Sequence, residues 1–131
     1  MKDKKIYMAG AGGMLGDAFY RVFMKENDLF CSDINITSDW VKSLDFRNRE
    51  GYIDDVLNFS PDYLFHLAAQ SYPLTSFTSP TDTYETNIIG THNILEVIKE
   101  YSASTICHIC SSSEIFGKVG KENLPIKEEC N

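Results

Sequence analysis

Apolar positions fall into two patterns along this chain. Short runs occur at residues 4–9 and 29–32, the second ending at Asp33. Continuous apolar runs at 63–67 and 105–110 read as parallel strands buried on both faces. Between them, apolar residues recur at helical spacing. Over 13–26, Leu15, Ala18, Phe19, Val22 and Phe23 share one helix face. Residues 48–58 predict a second helix with Ile53, Val56 and Leu57 inward, broken by Ser60-Pro61-Asp62. Ser79-Pro80-Thr81-Asp82 is a helix start, with serine at N-cap, proline at N1 and an acid at N3. That helix runs to about Tyr101. Tyr84, Ile88, Thr91, Leu95 and Ile98 form its stripe, and Ile89, Ile94 and Val97 widen it. Asn87 and Gly90 sit mid-helix, where both are disfavoured.

The remaining stretches are less periodic. Residues 34–47 read as a loop in which Leu44-Asp45-Phe46 forms a short third strand. Trp40 in that loop is taken as a packed anchor. Residues 71–79 read as a loop, and 118–131 as a polar tail. The order β-α-β-(β)-α-β-α-β predicts an α/β fold with a doubly wound parallel sheet of about five strands. Helices on both faces make it a three-layer α/β/α arrangement. The strand at 105–110 is left as an open edge.

The chemistry gathers where strands end. Ala9-Gly10-Ala11-Gly12-Gly13-Met14-Leu15-Gly16 joins the first strand to the first helix. A strand, a glycine turn and a helix N-terminus bind pyrophosphate. Gly10 permits the turn, Gly13 lets phosphate approach the backbone, and Gly16 lets helix and strand pack closely. Asp33 ends the second strand, where an acid accepts both adenosine ribose hydroxyls and repels a 2′-phosphate. That favours NAD over NADP; the alternative is an ordinary loop aspartate. Asp45 is a candidate for the adenine amino group or, equally, the flank of the next helix. Leu67-Ala68-Ala69-Gln70 ends the next strand with small residues that leave room for a ligand. His66 reads as a core histidine, with catalysis the alternative. Ser111-Ser112-Ser113-Glu114 places hydroxyls and a carboxylate at the end of the last strand.

Composition narrows the function classes. With 131 residues the chain is one domain, and 43% hydrophobic content is enough for a core. A net charge of −7 argues against nucleic acid or an anionic membrane as partner. No apolar run approaches a membrane span, and the N-terminal apolar run is too short for a signal peptide, so a cytoplasmic location is expected. Cys107-His108-Ile109-Cys110 has C-x-x-C spacing, but strand positions three apart face opposite sides. Buried free thiols are expected there, and no metal site.

These motifs together resemble the extended short-chain dehydrogenase/reductases that act on nucleotide sugars. The resemblance rests on Gly10-x-x-Gly13-x-x-Gly16, His66-Leu67-Ala68-Ala69, Asn87-Ile88-Ile89-Gly90-Thr91 and Ser111-Ser112-Ser113-Glu114-Ile115-Phe116-Gly117. Within that family the chain looks most like the nucleotide-sugar 4,6-dehydratases of the GDP-mannose dehydratase type. The glycine turn is similar to that of dTDP-4-dehydrorhamnose reductases and epimerases.

The resemblance implies a Rossmann-type NAD(P)-binding domain over residues 1–131, without the C-terminal substrate-binding part. It places the dinucleotide against Gly10, Ala11, Gly12, Gly13, Met14, Leu15, Gly16, Asp33, Asp45, Phe46, Leu67, Ala68, Ala69 and Asn87. The cofactor is NAD, with NADP open because the GDP-mannose dehydratase type uses NADP. Ser112 would hydrogen-bond the sugar 4-hydroxyl and Glu114 would remove the C5 proton. The substrate class is a GDP- or dTDP-hexose, and a homo-oligomer is expected. Glu114 favours dehydratase over epimerase or reductase, since those relatives usually lack the acid. A non-catalytic dinucleotide-binding module is the reading from another class. The family's Tyr-x-x-x-Lys is absent: no tyrosine is followed four residues later by lysine. The chain therefore reads as the first part of a longer enzyme, inactive alone.

Overall fold

In the computed structural model, residues 1–130 are described; Asn131, the last residue of the expected domain, lies outside them. Five parallel strands form one sheet in the order β3-β2-β1-β4-β5. They are β1 (Lys5–Ala9), β2 (Asp28–Asp33), β3 (Lys42–Ser43), β4 (Tyr63–His66) and β5 (Ile106–Ile109). Helix α1 (Met14–Phe23) lies on one face, α2 (Arg49–Phe59) and α5 (Gly90–Tyr101) on the other. The expected doubly wound, three-layer Rossmann arrangement is thus present.

The strand period of two divides the core cleanly. Ile6, Met8 and Cys31 point to the α1 face, with Phe19 and Phe23 of α1 packed edge-on and stacked against Phe65. Tyr7, Ala9 and Leu64 point to the α2/α5 face and meet Tyr52, Val56, Ile94, Val97 and Ile98. Trp40 stacks on Tyr20 with ring centroids 3.8 Å apart, an anchor as expected.

Several expectations need correction. Leu15, Ala18 and Val22 are exposed, and α1 packs through Gly16, Phe19 and Phe23 instead. Leu57 is exposed, whereas Tyr52 and Asp55 of α2 are buried. A polar network explains that choice. The Tyr7 hydroxyl donates to Asp55 Oδ2 at 3.2 Å and lies 2.9 Å from Ser32 Oγ, and Lys42 pairs with the other Asp55 oxygen. The third strand lies at 42–43 rather than 44–46. Leu44 and Phe46 leave the sheet to enter the core, and Asp45 folds its carboxylate back onto the Arg47 N–H. The stretch at 71–79 holds a short helix, α3 (Pro73–Thr78), with Pro73 starting it.

The long helix is divided. It begins as α4 (Pro80–Tyr84), widens into a π-turn at Glu85–Ile89 and continues as α5. Gly90, Ile94, Val97 and Ile98 are buried, while Tyr84, Ile88 and Leu95 are exposed. Strand β5 is less buried than its apolar composition implies, and Ile106 is 60% exposed. It is the sheet edge, and the aromatic side chains of α1 reach only as far as β4. The thiols are free, but Cys110 is exposed and Cys107 half-buried, so the burial expected of that pair is not met; Cys31 is buried. Burial pushes the Cys31 thiol up to about 12.

Candidate functional site

Two clefts open at the C-terminal ends of the strands. The first, of about 550 Å³, lies over the glycine turn between β1, β2 and β4. Gly10 has φ +87°, and a Cβ there would overlap the Ala68 backbone. A Cβ at Gly16 would overlap the Ala11 backbone, so helix and strand close tightly there. Gly13 differs: its nearest protein neighbour to an added Cβ is Gly10 O at 3.5 Å. Gly13 is also the N-cap of α1 and offers no side chain to the first turn. The first N–H groups of a helix have no intrahelical acceptor, and Met14 and Leu15, which carry them, line the cleft. This is a cradle suited to an anion.

Asp33 closes the side of the turn. Its Oδ2 accepts from the Gly12 N–H at 3.0 Å, and its Oδ1 accepts from the Asn35 N–H at 2.9 Å. The carboxylate therefore splints the turn to the loop after β2. Gly10, Gly12, Gly13, Met14, Leu15, Gly16, Asp33, Phe46, Leu67, Ala68 and Ala69 all line this cleft. Ala11 does not. It is fully buried under α1, and its N–H donates to Ser32 O at 3.1 Å. Sequence reasoning missed Asn35, Thr37, Ser71 and Thr86, which also line it. Asp33-Ile34-Asn35 was the available signal, since aspartate commonly accepts from the N–H two residues on.

Asp45 lines a smaller adjoining cleft of about 330 Å³ with Phe46, Arg47, Tyr72 and Asp82. Arg47 holds Asp45, with Nη2 2.7 Å from Oδ2, and reaches Asp82 at 3.3 Å and Glu85 at 3.8 Å. The Arg47 hydrogen bonds keep the Asp45 carboxyl below its ordinary range. Asp45 flanks α2, and its cleft adjoins the first through Ile34, Phe46 and Ala69.

The second cleft, of about 540 Å³, lies between β4 and β5. It shares Ala68, Ala69 and Ser71 with the first and adds Gln70, Asn87, Thr91 and Ser112. Asn87 sits in the π-turn and grips the Gln70 main chain from both sides. Its Oδ1 accepts from Gln70 N–H at 2.7 Å, and its Nδ2 donates to Gln70 O at 3.0 Å. The Gln70 amide in turn holds both main-chain groups of Tyr72. Ser112 Oγ accepts from the Glu114 N–H at 3.2 Å and caps a 3-10 turn at Ser113–Phe116. Glu114 is exposed and is not part of the cleft wall. Among the described residues no cluster of His, Cys, Asp or Glu is arranged to hold a metal ion. No helix of the described residues is long and apolar enough to cross a membrane.

Comparison with known proteins now decides the family. Residues 32–131 match the family model described as GDP-mannose 4,6 dehydratase. The chain belongs to the GDP-mannose 4,6-dehydratase family. A GDP-6-deoxy-D-mannose reductase of Pseudomonas aeruginosa is 38% identical over 69 residues, 53% of this chain and 23% of that protein. A dTDP-glucose 4,6-dehydratase of Salmonella typhimurium is 29% identical over 137 residues, 86% of this chain and 38% of that protein. The chain thus spans well under half the length of these relatives. Among solved structures, RMD from Pseudomonas aeruginosa complexed with NADPH superposes with a TM-score of 0.77 at 24% identity. It covers 98% of this chain, which matches 42% of that one. A UDP-glucose-4-epimerase from Stenotrophomonas maltophila with bound NAD gives 0.83 at 17% identity, over 97% of this chain and 42% of that one. These two likenesses show the shared fold.

Proposed function

We propose that this chain is the NAD(P)-binding portion of a nucleotide-sugar 4,6-dehydratase. The observation that carries this reading is the pair of joined clefts. One holds an anion cradle, the other a serine, and Ala68, Ala69 and Ser71 are common to both. A dinucleotide fits that shape, with its pyrophosphate on the first turn of α1 and adenosine toward Asp33 and Phe46. Ala68 and Ala69, common to both clefts, would hold the nicotinamide side. The missing Cβ at Gly13 supplies the fit, because its space opens away from protein. Relatives complexed with NADPH and with NAD support the cofactor class.

When bound, the nicotinamide accepts and returns a hydride. This chain's residues orient and exclude. Small side chains at Ala68 and Ala69 admit the ring, and Asn87 fixes the Gln70 main chain at the cleft rim. Ser112 is assigned the hydrogen bond to the sugar 4-hydroxyl, and Glu114 the removal of the C5 proton. A GDP- or dTDP-hexose is the substrate class in this reading. A cytoplasmic location and a homo-oligomer belong to it as well. One observation favours a second reading, a dinucleotide-binding module or an epimerase or reductase portion without dehydration: Glu114 stands outside the cleft wall.

Binding tests the core of the proposal. NADH titrated into the chain should bind and change its fluorescence. Gly13→Asp places a carboxylate in the anion cradle, and its Cβ makes only an ordinary contact with Gly10 O at 3.5 Å, so the fold should persist by circular dichroism while affinity falls at least about tenfold. Unchanged affinity in that variant refutes the placement of the pyrophosphate.

A further inference from the structure

His66 closes β4 and is 2% exposed, with the Phe46 ring edge-on to it at 6.1 Å between centroids. Its Nε2 lies 3.1 Å from Thr91 Oγ1, while Nδ1 has no partner among the described residues. A buried N–H left without an acceptor is rarer than a lone pair left without a donor. The ring therefore carries its proton on Nε2 and gives it to Thr91. Burial also pushes the ring's pKa down to about 4, so it is neutral at pH 7 and has one proton to place. A threonine hydroxyl has one hydrogen and two lone pairs. With a lone pair taken by His66, the Thr91 hydrogen is left to be given elsewhere. Thr91 is half-buried on α5 and lines the second cleft, beside Asn87, whose own amide is committed to Gln70.

We propose that Thr91 donates a hydrogen bond to a ligand seated between β4 and β5, and that His66 is the positioning residue that makes it a donor. The ligand atom is the carboxamide oxygen of the nicotinamide itself. This rests on the reading that one dinucleotide spans both clefts, since the shared wall at Ala68 and Ala69 leads from the glycine cradle toward Thr91 and away from Asp33.

Calorimetric titration of the chain with NADH and with ADP-ribose, which lacks the nicotinamide, tests it. Thr91→Val keeps the shape and removes the hydroxyl. Its NADH dissociation constant should rise about three- to tenfold with that for ADP-ribose unchanged. Thr91→Ser should restore NADH binding. His66→Gln, whose amide nitrogen can stand where Nε2 does, should retain it, and His66→Leu should repeat the Thr91→Val loss. A merely structural role would lower stability without separating the two ligands. Long-range proton–nitrogen NMR should show the Nε2–H tautomer in the unsubstituted chain, which needs no variant to fold. The proposal is overturned if Thr91→Val weakens both ligands equally or neither, or if the proton sits on Nδ1. If the unsubstituted chain binds neither ligand, the dinucleotide reading itself falls, and that result is separate from any Thr91 effect.

Discussion

The cleft at the glycine turn is shaped by main chain, and the cleft between β4 and β5 by side chains. In the first, close approach of Gly10 to Ala68 and of Gly16 to Ala11 sets the walls, and Asp33 adds one splint. In the second, Asn87 and Gln70 hold the rim, and the His66–Thr91 pair stiffens the wall. Where main chain meets main chain, as at Gly10 and Gly16, no added atom is tolerated, but no particular side-chain partner is needed. A wall made of amides and hydroxyls tolerates small changes in volume and depends on each partner's donors and acceptors. The two halves should therefore fail in different ways.

The largest effect is expected where main chain meets main chain. Gly10→Ala forces a Cβ into the Ala68 backbone at φ +87°, so no rotamer or side-chain shift relieves it. We expect a loss of about 3 kcal/mol or more in urea denaturation, a large share of the stability of a domain this size. A loss below about 1 kcal/mol would mean that the turn is not fixed by packing and would erase the contrast.

Acid should weaken the second half through His66. The folded His66 pKa is lowered to about 4 from an ordinary 6.5, so the folded state binds fewer protons than the unfolded one. Its contribution is complete above about pH 6.5 and shrinks as pH falls toward about 4. The change is roughly 3 kcal/mol, because each tenfold difference in proton affinity is worth about 1.4 kcal/mol. Denaturation of the native chain and of His66→Gln at pH 7 and pH 4.5 isolates it. The native chain should lose more stability than the variant, and equal losses would place the acid sensitivity elsewhere.

How legible each half was follows from the same contrast. Glycine spacing shows in sequence because absence of a side chain is the requirement, and Ala68 and Ala69 just after β4 are readable for the same reason. Asp33 is readable because it ends a strand. The doubly wound parallel sheet followed from the run pattern, and β5 was rightly an edge. Its exposure was not legible, because an apolar run does not say whether a helix covers it. The face of α1 was misread for a related reason. Leu15 lines the first cleft and is exposed there rather than packed in the core. Asn87 stands out in sequence as an oddity in a helix, yet its grip on Gln70 depends on a π-turn that no spacing announced. Glu114 was placed by motif alone, and its exposed position could only come from the structure.

The smallest effect, and the most local, belongs to that asparagine. Asn87→Ala leaves the Gln70 N–H and C=O without their side-chain partners at a half-buried rim, for a loss of about 1–2 kcal/mol. Global stability is a blunt measure of such a change. Hydrogen exchange is sharper, because opening free energies differ from one segment to the next. The Gln70 and Tyr72 amides, both held by side-chain oxygens, should exchange faster in Asn87→Ala. The Gly10 and Ala11 amides, which donate to Ser32 O within the sheet, should keep their protection. If both sets accelerate together, the clefts open as one unit, and Ala68 and Ala69 act as a rigid link between them. If only the rim accelerates, the second half can adjust to its ligand while the anion cradle stays fixed, which is the order of rigidity that holding one end of a dinucleotide and positioning the other requires.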